Sequence, residues 1–448
     1  MWRVPHNLRP DNEKPYLPAP SMPRSLAVVC LAAGLGKRTK VSIPKVLLPL
    51  CGRTLAGSAL DVTDALLPDR TIVLVHHQAD KVQRALANRT SVTFVDQGKP
   101  MGTGHAVKAA MHALGDFDGD VLVIYGDCPL MTTATLSALR LARGTAPCAM
   151  LTAYPSDTDG LGRILRDEAG RLLGIREAKD CSKDQLLIDE INAGFYCFDA
   201  RALGPALQTL KPNNAQGEYY LTDVIAQFVA EGRDVATIEA EADDEILGVN
   251  SLADLAVARL VMQERILMEH LHNGVIITDP STTFIDHGVK IGADTRILPC
   301  TVIGVGCTIG KHCEVGPFAH LRAGTVLEDG AEIGNFVEAK KTLVGAGSKA
   351  KHLTYLGDTV IGKNANIGAG TITANYDGVN KHETRIGDRV FIGSGTVIVA
   401  PSQLGADSMT GAGAVVKPNT LIGDREVWVG VPARLKKTRD LRSIKEHS

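Results

Sequence analysis

The sequence predicts two folds in series: a doubly wound, Rossmann-like α/β domain, then a left-handed parallel β-helix of hexapeptide repeats. Two observations carry this. Residues 26–250 alternate short Val- and Ile-rich runs with helical stretches, the signature of a largely parallel, doubly wound sheet. From Ile291 an aliphatic residue then recurs every six positions, through Ile297, Ile303, Ile309, Val315, Leu321, Leu327 and Ile333. An α-helix with 3.6 residues per turn cannot keep a strict period of six on one face. A triangular coil of three short strands can, with the aliphatic residue pointing inward and glycine or small residues at the corners.

Each element follows in order. Residues 1–24 are rich in proline and contain no apolar core of a signal peptide, so they read as a loose extension. The runs AVVCLAAG, TIVLVHH, SVTFVDQ and VLVIYGD are strands of a domain spanning 25–250, and GTGHAVKAAMHAL is one of its helices. Residues 251–272 read as one connecting helix, with Val257, Val261, Met268 and Leu271 expected on its buried stripe. Residues 273–448 form the β-helix and a C-terminal tail. The hexads break at GSKAKHLTYLGD (347–358) and TANYDGVNKHETR (373–385), and resume at Ile361 and at Ile386. A repeat coil leaves flat faces exposed, so oligomers, commonly trimers, are expected.

Composition excludes several function classes. The 448 residues are 44% hydrophobic and 22% charged with a formal net charge of −2, which is ordinary for a globular protein and offers no basic surface for nucleic acid. No apolar run reaches transmembrane length. The nine cysteines are scattered singly, without a zinc-like spacing, which suits small buried residues in a reducing cytoplasm.

The motifs point to a nucleotide. In LAAGLGKRTKVSIPKVL (31–47), Gly34 and Gly36 follow a strand directly, so backbone amides can close around phosphate oxygens. Thr39 stands where a dinucleotide fingerprint needs a third glycine, and the spacing is not that of a Walker loop. Arg38 and Lys45 suit a triphosphate. QGKPMGTGHAV (97–107) and YGDCPL (125–130) also follow strands. Ligands of open parallel sheets bind at the carboxyl ends of strands, so Gly34, Gln97 and Asp127 can converge, and Asp127 is a candidate Mg²⁺ ligand. In the coil, a loop that interrupts the hexads can project side chains from a rigid base. The first interruption delivers His352 and Tyr355, with Arg322 and Lys340 on preceding coils.

These motifs, with NNAQGEYYLTD (213–223), GVN (248–250), NFVEAKK and NIGAGTITANYDG, occur in a fixed order over nearly the whole chain. In them the sequence resembles the bifunctional N-acetylglucosamine-1-phosphate uridylyltransferase/glucosamine-1-phosphate N-acetyltransferases. The resemblance implies a two-site enzyme using UTP, Mg²⁺ and acetyl-CoA to make UDP-N-acetylglucosamine for cell-wall and lipopolysaccharide supply. It implies that Leu31, Ala32, Ala33, Gly34, Arg38 and Lys45 hold the nucleotide phosphates, and that Gln97, Gly102 and Thr103 read uracil. Tyr125, Gly126 and Asp127 would line the same site. Asp127 and Asn250 would hold Mg²⁺, and Gly162, Glu177 and Asn192 would contact the amino sugar. Uridylyl transfer then needs positioning and charge neutralisation, with no protein nucleophile.

For acetyl transfer, the resemblance makes His352 the general base, a role suited to its near-neutral pKa and typically worth about 10² to 10⁴ in rate. Arg322, Lys340, Tyr355 and Asn366 would bind glucosamine-1-phosphate. Ala369, Asn375, Tyr376, Ser394 and Ala412 would line the acetyl-CoA site, with Lys381 a further candidate in the second interrupting loop. The chain departs from the family pattern at Lys37, Thr39 and Leu48. It also has Gly430 where the family often carries a CoA-binding arginine, and Arg434, Lys436 and Lys437 lie close enough in sequence to substitute. The competing readings are a single-activity nucleotidyltransferase whose coil is only a scaffold, and a non-catalytic regulatory subunit. The quartet Arg322, Lys340, His352 and Tyr355 opposes the first, and Lys45, Asp127 and Asn250 oppose the second.

Overall fold

The structure is a computed structural model that describes residues 24–438 apart from Leu35; the rest of the expected extension lies outside the described residues. The first domain is built on a sheet whose main path is Ala236–Glu239, Cys148–Ala153, Ile191–Asp199, Asp120–Tyr125, Leu26–Leu31, Arg70–Val75 and Val92–Asp96. All neighbours are parallel except Ile191–Asp199, which runs antiparallel to both strands beside it. The expected apolar runs form the four strands assigned to them; the inner ones are buried on both faces, Leu26 to Cys30 and Val121 to Val123 being fully enclosed, while Val92–Asp96 at the sheet edge is only partly covered. Strand order diverges on either side of Leu26–Leu31, which places the ligand crevice between the ends of that strand and Asp120–Tyr125.

The helix Leu252–His272 begins with a reciprocal cap: the Ser251 hydroxyl accepts from the Asp254 amide, and the Asp254 carboxylate accepts from the Ser251 amide. Its buried stripe is Leu255, Ala258, Gln263, Ile266, Leu267 and His270. Val257 and Met268, expected inside, are exposed, while Val261 and Leu271 are only partly covered. The helix is wedged between the hairpin Pro49–Thr54 and the first coils, so its buried side is chosen by partners distant in sequence. Gln263, polar and inside, donates to the Ile285 carbonyl at 3.0 Å, which removes the penalty of burying its amide.

The coil consists of three parallel sheets of ten, eight and eight strands; the first gains its tenth from Arg434–Thr438, which folds back antiparallel onto Glu426–Val429. The hexad residues form its interior: Ile297, Ile303, Val315, Leu321, Ile333, Ile361, Ile392 and Ile398 are fully buried. Most buried threonines and serines at the corners bond to the coil itself, as when Thr325 donates to the Arg322 carbonyl at 2.8 Å, which offsets the cost of burying their hydroxyls; Thr384 and Ser408 are exceptions whose hydroxyls find no partner among the described residues. One continuous core runs from Leu48, Leu50, Leu130 and Val249 of the first domain into the coil.

Candidate active sites

The first site forms at the strand ends. Asp127 follows Asp120–Tyr125, and its carbonyl accepts from the Val249 amide at 2.8 Å, which brings Asn250 alongside. The short helical turn Lys45–Leu47 delivers Lys45 between them. Its ammonium is paired with the Asp127 carboxylate and donates to Asn250 Oδ1 at 3.0 Å, and Arg38 donates to that same amide oxygen at 2.8 Å. Asp127 and Asn250 thus converge on the Lys45 ammonium. A carboxylate and an amide oxygen are hard donors of the kind that suit a divalent cation such as Mg²⁺, so these two residues could hold one. Among the described residues no group of three or more His, Cys, Asp or Glu side chains could hold a metal ion.

Gly34 is open, with nothing within 4 Å of where a Cβ would stand, and Gly126 packs over Ala32 and Cys30. Leu31, Ala32 and Ala33 bring the backbone to this point. The loop carrying Gln97, Gly102 and Thr103 is held by a segment to which the sequence reading gave no role. Tyr219 donates its amide to the Met101 carbonyl at 2.8 Å and accepts from the Gly104 amide at 2.8 Å, while Thr103 Oγ1 accepts from the Leu221 amide at 3.1 Å. A Cβ on Gly102 would stand 2.4 Å from the Tyr219 carbonyl, so glycine there is a steric requirement. Gln97 is buried and donates to the Gly102 carbonyl at 3.2 Å.

A cavity of about 600 Å³ opens beside Asp127 and Asn250, lined by Tyr125, Gly162, Glu177, Asn192 and Tyr196 among others. The structure therefore brings the candidate sugar residues to the candidate metal residues. Burial pushes the Glu177 carboxyl above its usual range, against the opposing effect of the Thr222 hydroxyl that donates to it at 3.0 Å; Asp180 and Asp223 add to the rise. Burial likewise raises the Tyr125 phenol. Asn192 donates its amide to the Tyr196 hydroxyl at 2.6 Å. The sequence held the signals for Tyr219 and Thr222, which lie within a quoted motif, but none for Tyr196, which reads as a core strand residue.

The second site lies on one face of the coil. The Arg322 amide bonds to the Ala339 carbonyl and the Asp358 amide to the Lys340 carbonyl, so Arg322, Lys340 and Asp358 rise along one corner. Lys381 arrives from the 373–385 loop, which is closed around Asp377 by His382 at 2.7 Å and by the Val379 and Asn380 amides. The Lys340 ammonium is pushed below its usual range by the Lys381 side chain first, then by Arg322. Arg322 also donates to Glu338 at 2.8 Å. Three cations against few carboxylates make this corner electropositive, an arrangement able to take an anion.

His352 stands at the opposite corner of the same face. Its ring is exposed, and among the described residues no side chain bonds to it. Tyr355 lies between the two corners, with its hydroxyl and Asn375 packed over Gly357, where a Cβ would stand 2.7 Å from each. Asn375 in turn donates to Asp358. Asn366 pairs with Lys349 on the neighbouring sheet, three residues before His352.

The candidate acetyl-CoA residues divide into two groups. Ala369, Ser394 and Ala412 stack directly on His352: the Gly370 amide bonds to the His352 carbonyl at 3.2 Å, Gly395 to Ala369 at 2.7 Å, and Gly413 to Ser394 at 2.8 Å. Gly368 and Gly393 in this column leave no room for a side chain, since a Cβ would stand 2.5 and 2.6 Å from backbone of the next coil. Asn375 and Tyr376 belong instead to the opposite corner with the 373–385 loop. Gly430 lies next along the column, its carbonyl bonded to the Val415 amide at 3.1 Å. Exposed Arg434, Lys436 and Lys437 lie just beyond it on the fold-back strand.

Two families match the chain: the MobA-like NTP transferase domain over residues 28–228, and the six-repeat bacterial transferase hexapeptide over 306–339 and 383–418. The class is therefore a nucleotidyltransferase joined to a hexapeptide-repeat transferase. The bifunctional protein GlmU of Pelobacter propionicus is 43% identical over 429 residues, covering 88% of this chain and 93% of that protein. Those of Geotalea daltonii (41%, covering 87% and 93%) and Shouchella clausii (40%, covering 87% and 93%) are similar. The chain belongs to the GlmU family of bifunctional enzymes, with uridylyl transfer on its α/β domain and acetyl transfer on its coil. It acts on small molecules, with a divalent metal and acetyl-CoA as the family's requirements. No helix among the described residues is long and apolar enough to cross a membrane.

Proposed function

We propose that the chain acetylates glucosamine-1-phosphate at His352 and then joins the product to UMP from UTP at Asp127. The observation that carries this is the meeting of Lys45, Arg38, Asp127 and Asn250 at one point beside the sugar cavity. Mg²⁺ held by Asp127 and Asn250 would supply charge neutralisation at the phosphates. Lys45 and Arg38 neutralise the triphosphate from the protein side and orient its α-phosphorus toward the sugar phosphate. Glu177, Asn192 and Gly162 fix the amino sugar, Gln97, Gly102 and Thr103 read the uracil, and pyrophosphate leaves. The protein contributes position and charge, with no covalent intermediate.

On the coil, Arg322, Lys340 and Lys381 grip the phosphate of glucosamine-1-phosphate, with Tyr355 between that corner and His352, and Asn366 on the His352 side. His352 takes the proton released as the amine attacks the thioester. The small-residue column of Ala369, Ser394 and Ala412 offers a groove along which acetyl-CoA can run to His352, with Asn375 and Tyr376 closing the site from the loop. We place the work in the cytoplasm, where nine free thiols are at home, and in a homotrimer; a fragment from residue 252 onward should scatter light as three chains.

The deciding experiment separates the sites. Asp127→Ala should abolish pyrophosphate release from UTP and N-acetylglucosamine-1-phosphate while leaving CoA release near normal, and His352→Ala should do the reverse. Loss of both activities in a folded Asp127→Ala protein would contradict the two-site account.

A further inference from the structure

Resting on the reading of the 600 Å³ cavity as the sugar-phosphate site, we infer that Tyr196 is an additional sugar-binding residue, whose hydroxyl donates to an oxygen of the bound amino-sugar phosphate.

The argument is one of proton accounting. Asn192 uses its amide nitrogen to donate to the Tyr196 hydroxyl at 2.6 Å, and its amide oxygen accepts from the Gly194 amide at 3.1 Å. The phenol oxygen is therefore an acceptor toward Asn192, and its own proton must point elsewhere. Among the described residues nothing accepts it. The nearby Glu177 carboxylate accepts from the Thr222 hydroxyl at 3.0 Å and makes no bond to Tyr196, which leaves it acceptor capacity of its own toward a ligand.

The group cannot easily turn away or ionise. The ring is 1% exposed and stacks on Phe198 with centroids 5.5 Å apart, and burial holds the phenol well above its usual range, so it stays a neutral donor. Buried hydroxyls normally find a partner, and this one faces the cavity that Glu177 and Asn192 also line. The wall thus presents a fixed donor beside a carboxylate acceptor, a pair that fits a ligand carrying both hydroxyl or amide hydrogens and acceptor oxygens. A ligand without an acceptor there would leave the donor unpaired, which makes Tyr196 a specificity determinant.

The test is steady-state uridylyl transfer by the full-length enzyme. Tyr196→Phe keeps the ring and removes the proton. The KM for N-acetylglucosamine-1-phosphate should rise about tenfold, with kcat within twofold and the KM for UTP unchanged, the pattern of a lost uniform binding contact. Because the substitution also frees the Asn192 amide, it is repeated in an Asn192→Ala background, where a direct contact still produces a rise. A rise in the single variant that vanishes in that background would make Tyr196 a mere support for Asn192 and overturn the inference. So would an unchanged KM in Tyr196→Phe when Asn192→Ala raises it. If neither variant alters the KM, the sugar site itself is misplaced and both readings fall. Repeating the pair with glucose-1-phosphate narrows which oxygen is read: a penalty confined to the acetamido sugar marks the acetyl carbonyl, and one that persists marks an oxygen of the ring, its hydroxyls or the phosphate, which both sugars share.

Discussion

Arg163 ties a stability quantity to a binding quantity. It is 2% exposed, and its guanidinium donates to the Thr158 carbonyl at 2.9 Å, the Leu161 carbonyl at 2.5 Å, the Thr158 hydroxyl at 2.9 Å and the Leu186 carbonyl at 3.3 Å. Pro155, Asp157, Asp159, Gly160, Leu161 and Gly162 form one wall of the sugar cavity, so Arg163 pins that wall from behind. Arg163→Met retains the apolar stem and deletes all four bonds. At about 1.5–3 kcal/mol for a hydrogen bond from a charged group, the sum would be roughly 6–12 kcal/mol. The loss stays well below this because Asp157, Asp159 and Gly160 are exposed, and a released wall can turn its carbonyls to water. We expect about 3 kcal/mol, spent mainly on local opening, or roughly a hundredfold more of the open form. Hydrogen exchange over residues 157–162 should accelerate by that order, and the KM for the sugar phosphate should rise while that for UTP changes little. Unchanged exchange in this segment would refute the role assigned to Arg163.

Glu177→Gln removes a carboxylate whose pKa burial raises. Ionising it costs the fold, so wild-type stability falls as pH climbs past the ordinary carboxyl value of about 4.3; the variant should melt higher at pH 7, with the gain closing below about pH 4, while losing sugar affinity. Gly430 lacks the charge the family often places there, and the exposed Arg434, Lys436 and Lys437 adjoin the column. Replacing all three with Ala should raise the KM for acetyl-CoA about tenfold but barely affect the 3′-dephospho analogue; equal discrimination in wild type and variant would place the grip elsewhere. Leu50→Ala, in the core shared by the two folds, should cost about 2–5 kcal/mol and weaken uridylyl transfer more than acetyl transfer when both are assayed below the melting point.

What could be read from the sequence was what is encoded locally. The hexads specify the coil because each aliphatic residue needs only its own coil to be buried, and the strands ending at Leu31 and Tyr125 announce themselves by apolar runs. The stretches carrying Gly34, Gln97 and Asp127 were recognisable as strand-end segments for the same reason: each directly follows an apolar strand run. The buried side of Leu252–His272 was misread because Leu255, Ile266 and His270 are selected by the hairpin and the coils, and helical spacing alone allows more than one stripe. Tyr196 and Arg163 were invisible because a strand tyrosine and a strand arginine acquire their roles only when Asn192 and the 155–162 wall are folded over them. Lys381 needed the 373–385 loop to close before it could reach Lys340.

The shared core explains why a coil should matter to a site it does not form. Lys45, Asp127 and Asn250 each lie within three residues of a side chain buried in that core: Leu48, Leu130 and Val249. The hairpin after Lys45 is tied down further, since the His287 amide of the first coils bonds to the Cys51 carbonyl at 2.9 Å and Arg259 donates to the Pro49 carbonyl at 3.3 Å. The coil interior is close-packed and stiff, so Lys45 and the two groups that meet at its ammonium, Asp127 and Asn250, are held from below by a rigid base instead of by their loops. Precision at a charge-neutralising site is where a displacement of about 1 Å is expensive in rate. The acetyl site obtains the same rigidity directly, by standing on the coil face. Joining the two folds therefore gives the uridylyl site a support that an isolated α/β domain would have to build from its own loops.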